Sequence, residues 1–95
     1  MEEVERVRMP KEGEVLGVVE SMLGANKMRI RCQDGKLRII RIPGKLRKRV
    51  WIRERDVVLI KPWSIQGETN GDVVWKYRTN QALWLKKKGI LNMEF

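Results

Sequence analysis

The residues of this chain best suited to chemistry are bases at alternate positions. Lys27, Arg29 and Arg31 interleave with Met28, Ile30 and Cys32. On an extended backbone that spacing projects three cations from one face and three apolar groups from the other. Gln33-Asp34-Gly35 supplies a turn, because an Asp-Gly pair readily takes positive φ. Lys36 and Arg38 then resume the pattern against Leu37 and Ile39. The expectation is a hairpin with Met28, Ile30, Leu37 and Ile39 buried and Lys27, Arg29, Arg31, Lys36 and Arg38 exposed. Like charges packed across strands destabilise the free protein. An anionic partner relieves that cost, and ammonium and guanidinium groups in such a row meet phosphates.

The wider charge distribution agrees. The 95 residues carry a formal charge of +9. From Lys27 to Arg55 there are twelve Lys or Arg against Asp34 and Glu54, a balance of +10. The remaining nine bases and ten acids come to −1. A solvated surface would scatter and mix its charges, so this concentration points to a polyanion. Lys45, Arg47, Lys48 and Arg49 form the densest run and would position the protein on phosphates without reading sequence. Arg41, Arg53 and Lys61 join the candidate set on charge and placement alone. Trp51 admits two readings. Its indole, flanked by bases, could stack on an unpaired nucleobase, or Val50 and Ile52 could draw it into the core. Trp63, Trp75 and Trp84 are expected as core or helix-docking residues.

Much chemistry is excluded. Histidine is absent, which removes the imidazole acid or base and any Ser-His-Asp triad. Gly13, Gly17 and Gly24 are too scattered for a nucleotide fingerprint. A lone Cys32, in phase with Met28 and Ile30, suits a small buried apolar position and offers no disulfide or metal cluster. No cofactor and no chemical step are expected. No segment approaches the roughly twenty apolar residues of a membrane span, and the terminal helix is too short for a basic surface anchor. The acidic start, Met1 to Glu5, is unlike a signal peptide, so a cytoplasmic protein is expected.

The elements that position these bases follow from pattern and punctuation. Residues 1–14 read as a flexible N-terminal tail, residues 15–78 as one barrel, and residues 79–95 as a C-terminal helix and tail packed on it. Val15 to Leu23 is a first strand, in which Gly17 suggests a bulge or tight bend. Glu20 within it either pairs with an Arg of a neighbouring strand or marks the exposed side. The alternation slips at Ile39-Ile40, where a bulge or strand end is expected. Lys45 to Val50 reads as a helical turn, Val57 to Ile60 as a buried fourth strand, and Asp72 to Tyr77 as the fifth. Thr79 or Asn80 is expected to cap a last helix running to Lys88. Five strands with a helical connector between the third and fourth describe an all-β OB-fold barrel. An SH3-like barrel is the alternative, and the basic second and third strands favour the OB reading.

Pro43 to Ile52, Met22-Leu23-Gly24 and Cys32 to Gly35 closely resemble segments of translation initiation factor 1A, and the likeness runs from about Arg6 to Gly89. The short tails resemble the archaeal form, so the functions of the long eukaryotic tails in start-codon scanning are not carried over. The resemblance implies an OB-fold with an added C-terminal helix, bound at the decoding A site of the small ribosomal subunit. It implies help in loading initiator tRNA and mRNA, exclusion of elongator tRNA, and action beside other initiation factors, as a monomer. By match to the family's RNA-facing strands and basic run it assigns rRNA contact to Lys27, Arg29, Arg31, Lys36, Arg38, Lys45, Arg47, Lys48, Arg49 and Trp51. Two rivals share the charge and the fold: a permanent ribosomal protein, and a general single-strand-binding OB protein. The latter would need surface aromatics, and none lies between Lys27 and Arg49.

Overall fold

Alternation in the second and third strands, and apolar runs buried on both faces in the first and fourth, produce a wall that closes on itself. The computed structural model describes residues 7–24, 26–47 and 51–95. Its elements are β1 (Val15–Met22), β2 (Lys27–Cys32), β3 (Leu37–Arg41), α1 (Gly44–Arg47), β4 (Val57–Pro62), β5 (Asn70–Lys76) and α2 (Thr79–Lys87). The strands form a closed barrel in the order β1-β2-β3-β5-β4. All neighbours are antiparallel except β3 and β5, which run parallel. The expected architecture, with a short helix after the third strand and a helix at the end, is what the chain adopts.

Two apolar clusters hold it. Val19, Met28, Ile30, Ile40, Val58 and Ile60 pack with Cys32, Ile42, Ile52 and Val73 in the first. Leu16, Val18, Val57 and Leu59 turn to the opposite face and meet Tyr77, Ala82, Leu85 and Leu91 in the second. The run Val57 to Ile60 is therefore buried on both faces, as its continuous apolar character requires. Val7 also packs on the second cluster, and the Tyr77 hydroxyl donates to the carbonyl of Arg8. The stretch from Val7 to Glu14, expected as a tail, thus touches the barrel at these points.

Gly17 has a different role from the expected bend. A Cβ there would lie 2.6 Å from Ile30 Cγ2 and 3.1 Å from the Arg31 carbonyl, so it permits close strand approach. The β1 bulge falls between Val19 and Ser21, and it leaves Glu20 exposed. Gly35, at φ +89, makes the expected turn between β2 and β3. At α2 the cap is Arg78, not Thr79 or Asn80. Its backbone N–H donates to Gln81 Oε1 at 2.9 Å, because a Gln at the third helical position can reach back.

The phase of β3 corrects the sequence reading. Ile30 faces Arg38 and Met28 faces Ile40, with no register shift between β2 and β3. Opposed residues share a face, so the buried Met28 and Ile30 carry Arg38 and Ile40 inward. Leu37 is instead 51% exposed and Ile39 half-buried. The expected bulge at Ile39-Ile40 does not occur, and the strand runs on to Arg41.

Candidate nucleic-acid interface

β2 and β3 present their outward residues in opposed pairs: Lys27 with Arg41, Arg29 with Ile39, and Arg31 with Leu37. Lys27, Arg31 and Arg41 are exposed and Arg29 is half-buried. The row continues through β5 to β4, since Arg41 registers with Asp72 and Asp72 with Lys61. Lys27, Arg41, Asp72 and Lys61 therefore lie side by side across four strands. The row holds three cations and one carboxylate, flanked by Arg41 and Lys61, and Asp72 engages Arg41 at 3.2 Å.

Arg38 leaves this face. It is 4% exposed, and its Nη1 and Nη2 donate to Asp34 Oδ1 and Oδ2 at 3.1 and 2.9 Å while Nε donates to the Gly67 carbonyl at 2.6 Å. Burial works against its charge, but the bonds to Asp34 and Cys32 raise its pKa regardless. The same bond holds the Asp34 carboxyl below its ordinary range, while burial pushes the Cys32 thiol up. Expected as an RNA-facing base, Arg38 is instead a buried tie between the β2–β3 turn and the loop before β5. Lys36, expected exposed, is half-buried because it lies in that turn, where its backbone N–H donates to Asp34 Oδ1 at 3.1 Å.

Lys45, the second residue of α1, is exposed, while Leu46 packs on the core. The side chain of Arg47, together with Lys48 and Arg49, lies outside the described residues. Lys45 and Lys61 line a groove of about 1020 Å³, with Pro43, Pro62, Trp63 and Asp72 among its other walls. Arg53 is exposed beyond the connector, and its N–H donates to Asp56 Oδ2 at 2.8 Å. Trp51 is 75% exposed and Ile52 is buried, so the alternative of a core Trp51 falls.

Sequence reasoning missed two residues beside this surface. Trp63, expected as core, is half-buried; its Nε1 donates to Asp72 Oδ1 at 3.1 Å, and the Arg41 guanidinium lies 5.6 Å from its ring. Its position just after Pro62, where a strand ends, was the available signal. Arg55 is exposed with φ 74, held there as its N–H donates to the Val19 carbonyl at 2.8 Å. It lay within the basic stretch but had no alternation to mark it. Trp75 is 40% exposed beneath Arg8, at 5.6 Å, and Trp84 is half-buried. Among the described residues no cluster of His, Cys, Asp or Glu could hold a metal ion. No helix of the structure is long and apolar enough to cross a membrane.

The arrangement is suited to holding phosphates at fixed spacing around a curved wall, and the Trp51 indole is open to solvent. A sequence profile of the family described as Translation initiation factor 1A / IF-1 matches residues 4–95. The chain is 52% identical over 92 residues to translation initiation factor 1A of Methanothermobacter thermautotrophicus, covering 97% of this chain and 93% of that protein. It is 58% identical over 91 residues to translation initiation factor 1A of Methanopyrus kandleri, covering 96% of this chain and 81% of that protein. It is 50% identical over 94 residues to the Pyrococcus abyssi protein of the same name, covering 99% and 83%. Among solved structures, translation initiation factor IF-1 from the Wolbachia endosymbiont of Brugia malayi shares the fold. The match has TM-score 0.53 and 24% identity, and covers 68% of this chain and 77% of that one.

Proposed function

The chain belongs to the translation initiation factor 1A / IF-1 family, and on that premise we propose that it binds the decoding A site of the small ribosomal subunit through rRNA phosphates. Occupying that site, it promotes loading of initiator tRNA and mRNA beside other initiation factors and delays entry of elongator tRNA. It acts by binding alone.

The observation that carries this reading is the continuity of the basic surface over a closed wall. Lys27, Arg29 and Arg31 on β2 and Arg41 on β3 continue through the row to Lys61, and Lys45 adjoins them. Folded RNA, whose phosphates are already fixed in space, can meet many of these groups at once. A loose strand would have to be ordered first, at a cost of roughly 0.5–1.5 kcal/mol for each flexible group immobilised. The outward residues of β2 and β3 are aliphatic and basic, with no aromatic platform for successive bases. Preference for shaped RNA over single strands follows.

Cosedimentation with isolated archaeal small subunits, large subunits and assembled ribosomes, at two salt concentrations, tests the reading. Binding should favour the free small subunit, resist excess unstructured RNA, and yield to a ligand in the A site. Equal displacement by unstructured RNA, with no response to A-site occupancy, would leave a general nucleic-acid binder. Retention through high-salt washing would instead indicate a permanent ribosomal protein.

A further inference from the structure

Trp51 is an anomaly in energetic terms. A large indole left 75% exposed gains little for folding, yet the backbone that carries it is tied down from two sides. Ile52 is buried in the first apolar cluster. From β5, twenty-five residues on, the Lys76 Nζ donates to the Trp51 carbonyl at 2.6 Å. The same ammonium lies 3.3 Å from Asp56 Oδ2. That oxygen also accepts the Arg53 N–H at 2.8 Å, and the Asp56 carbonyl accepts the Val19 N–H at 2.9 Å. Lys76 registers with the fully buried Val58, so its stem rises from the barrel wall itself. One charge-assisted bond and one ion pair thus join β5 to both ends of the turn from Trp51 to Asp56.

We infer that Lys76 is a positioning residue for RNA recognition: it fixes the backbone from which the Trp51 indole projects, and raises affinity without touching RNA. The inference rests on the reading that this surface binds small-subunit RNA. Its physical basis is preorganisation. A side chain that must be ordered on binding loses part of its contact energy to that ordering, and a backbone held in advance avoids the loss. Lys76 differs from the candidate RNA-binding bases in how its charge is used. Two of its three donors are engaged by the Trp51 carbonyl and Asp56, and its charge is already paired with the Asp56 carboxylate, so little counterion is released from it when RNA binds.

The test is a double-mutant cycle read over a salt series, with cosedimentation on isolated archaeal small subunits. Lys76→Met should weaken binding about threefold to tenfold and leave the salt slope at its wild-type value. Lys76→Arg, which keeps a charged donor, should restore most of the affinity. In a Trp51→Ala background the Lys76→Met change should have almost no further effect. Asp56→Asn removes the carboxylate charge but can still accept the Arg53 N–H, and it should show a smaller loss with the same dependence on Trp51. It serves as the variant of record should Lys76→Met fail to fold. A fall of about one in the salt slope for Lys76→Met would make Lys76 a direct phosphate contact. Multiplying effects in the double variant would place its action elsewhere. Either result overturns the inference while leaving small-subunit binding intact. Absence of wild-type binding to small subunits would overturn both.

Discussion

Arg38 and Asp34 form a two-bond pair, Nη1 to Oδ1 at 3.1 Å and Nη2 to Oδ2 at 2.9 Å, and this pair separates structural charge from binding charge. Two bases in the same candidate set, Arg31 and Arg38, have opposite fates because one faces outward and the other inward. Arg38→Ala should lower folding stability by about 2–4 kcal/mol, since hydrogen bonds to a charged group and the Gly67 carbonyl are lost together. Its effect on the salt slope of RNA binding should be negligible. Chemical denaturation and a salt series on the same variant check both halves.

The exposed bases should behave in the opposite way. Lys27→Ala and Arg31→Ala should each reduce the magnitude of the salt slope by about one while changing stability by no more than about 0.5 kcal/mol. Arg41→Ala should reduce the slope less, because Asp72 already neutralises part of that charge. Binding isotherms at several salt concentrations decide between them.

Trp51→Ala should weaken small-subunit binding by about 1–3 kcal/mol if the indole stacks on an unpaired base. Because the ring is exposed, the melting temperature should move little. An unchanged affinity would remove stacking from the account.

How much of this was legible in the sequence depends on the range of the forces involved. The strands, a short helix after the third, and the exposed Lys27 and Arg31 of β2 follow from local alternation and turn residues and stand as expected, whereas Arg29, expected exposed, is half-buried. The phase of β3 depends on pairing across the hairpin. Leu37-Arg38-Ile39-Ile40 offers two phases, and local alternation alone places the bases outward. The inward phase is stabilised by Asp34, four residues away, and by the Gly67 carbonyl, twenty-nine away. The second of these partners has no local signature. The side taken by Trp51 has no local signature either, since the Lys76 that binds its carbonyl lies twenty-five residues away in another strand.

The acid limb of stability should report Asp34. Its pKa is lowered from 3.8, chiefly by the hydrogen bond from Arg38, so its contribution is present above the ordinary value. That contribution is lost as pH falls through the lowered native value. Asp34→Asn should therefore flatten the decline in stability below about pH 4. Denaturation midpoints measured across the acid range show whether it does.

Tyr77 offers the alkaline counterpart, and it is the only tyrosine in the chain. Burial pushes its hydroxyl from 10.0 up to about 12. Here the neutral form is favoured in the folded state, so stability is retained below the ordinary value and lost as pH rises through the native one. Phenolate absorbance should appear late in an alkaline titration of the folded protein and near its ordinary value in denaturant. Tyr77→Phe, which removes the bond to the Arg8 carbonyl, should abolish the transition.

The parallel seam between β3 and β5 has a consequence for the order of folding. Ile39 and Asn70 meet there across a connection of about thirty residues, whereas β1, β2 and β3 pair through short turns. Closing a loop of that length costs about 3 kcal/mol of chain entropy before the seam returns any of it. The meander can therefore assemble early, with the seam closing late and opening first. On a growing chain the cationic strands would be shaped before Asp72 emerges to sit beside Arg41. The half-made protein would then carry its strongest attraction for RNA while still attached to the machine that makes it.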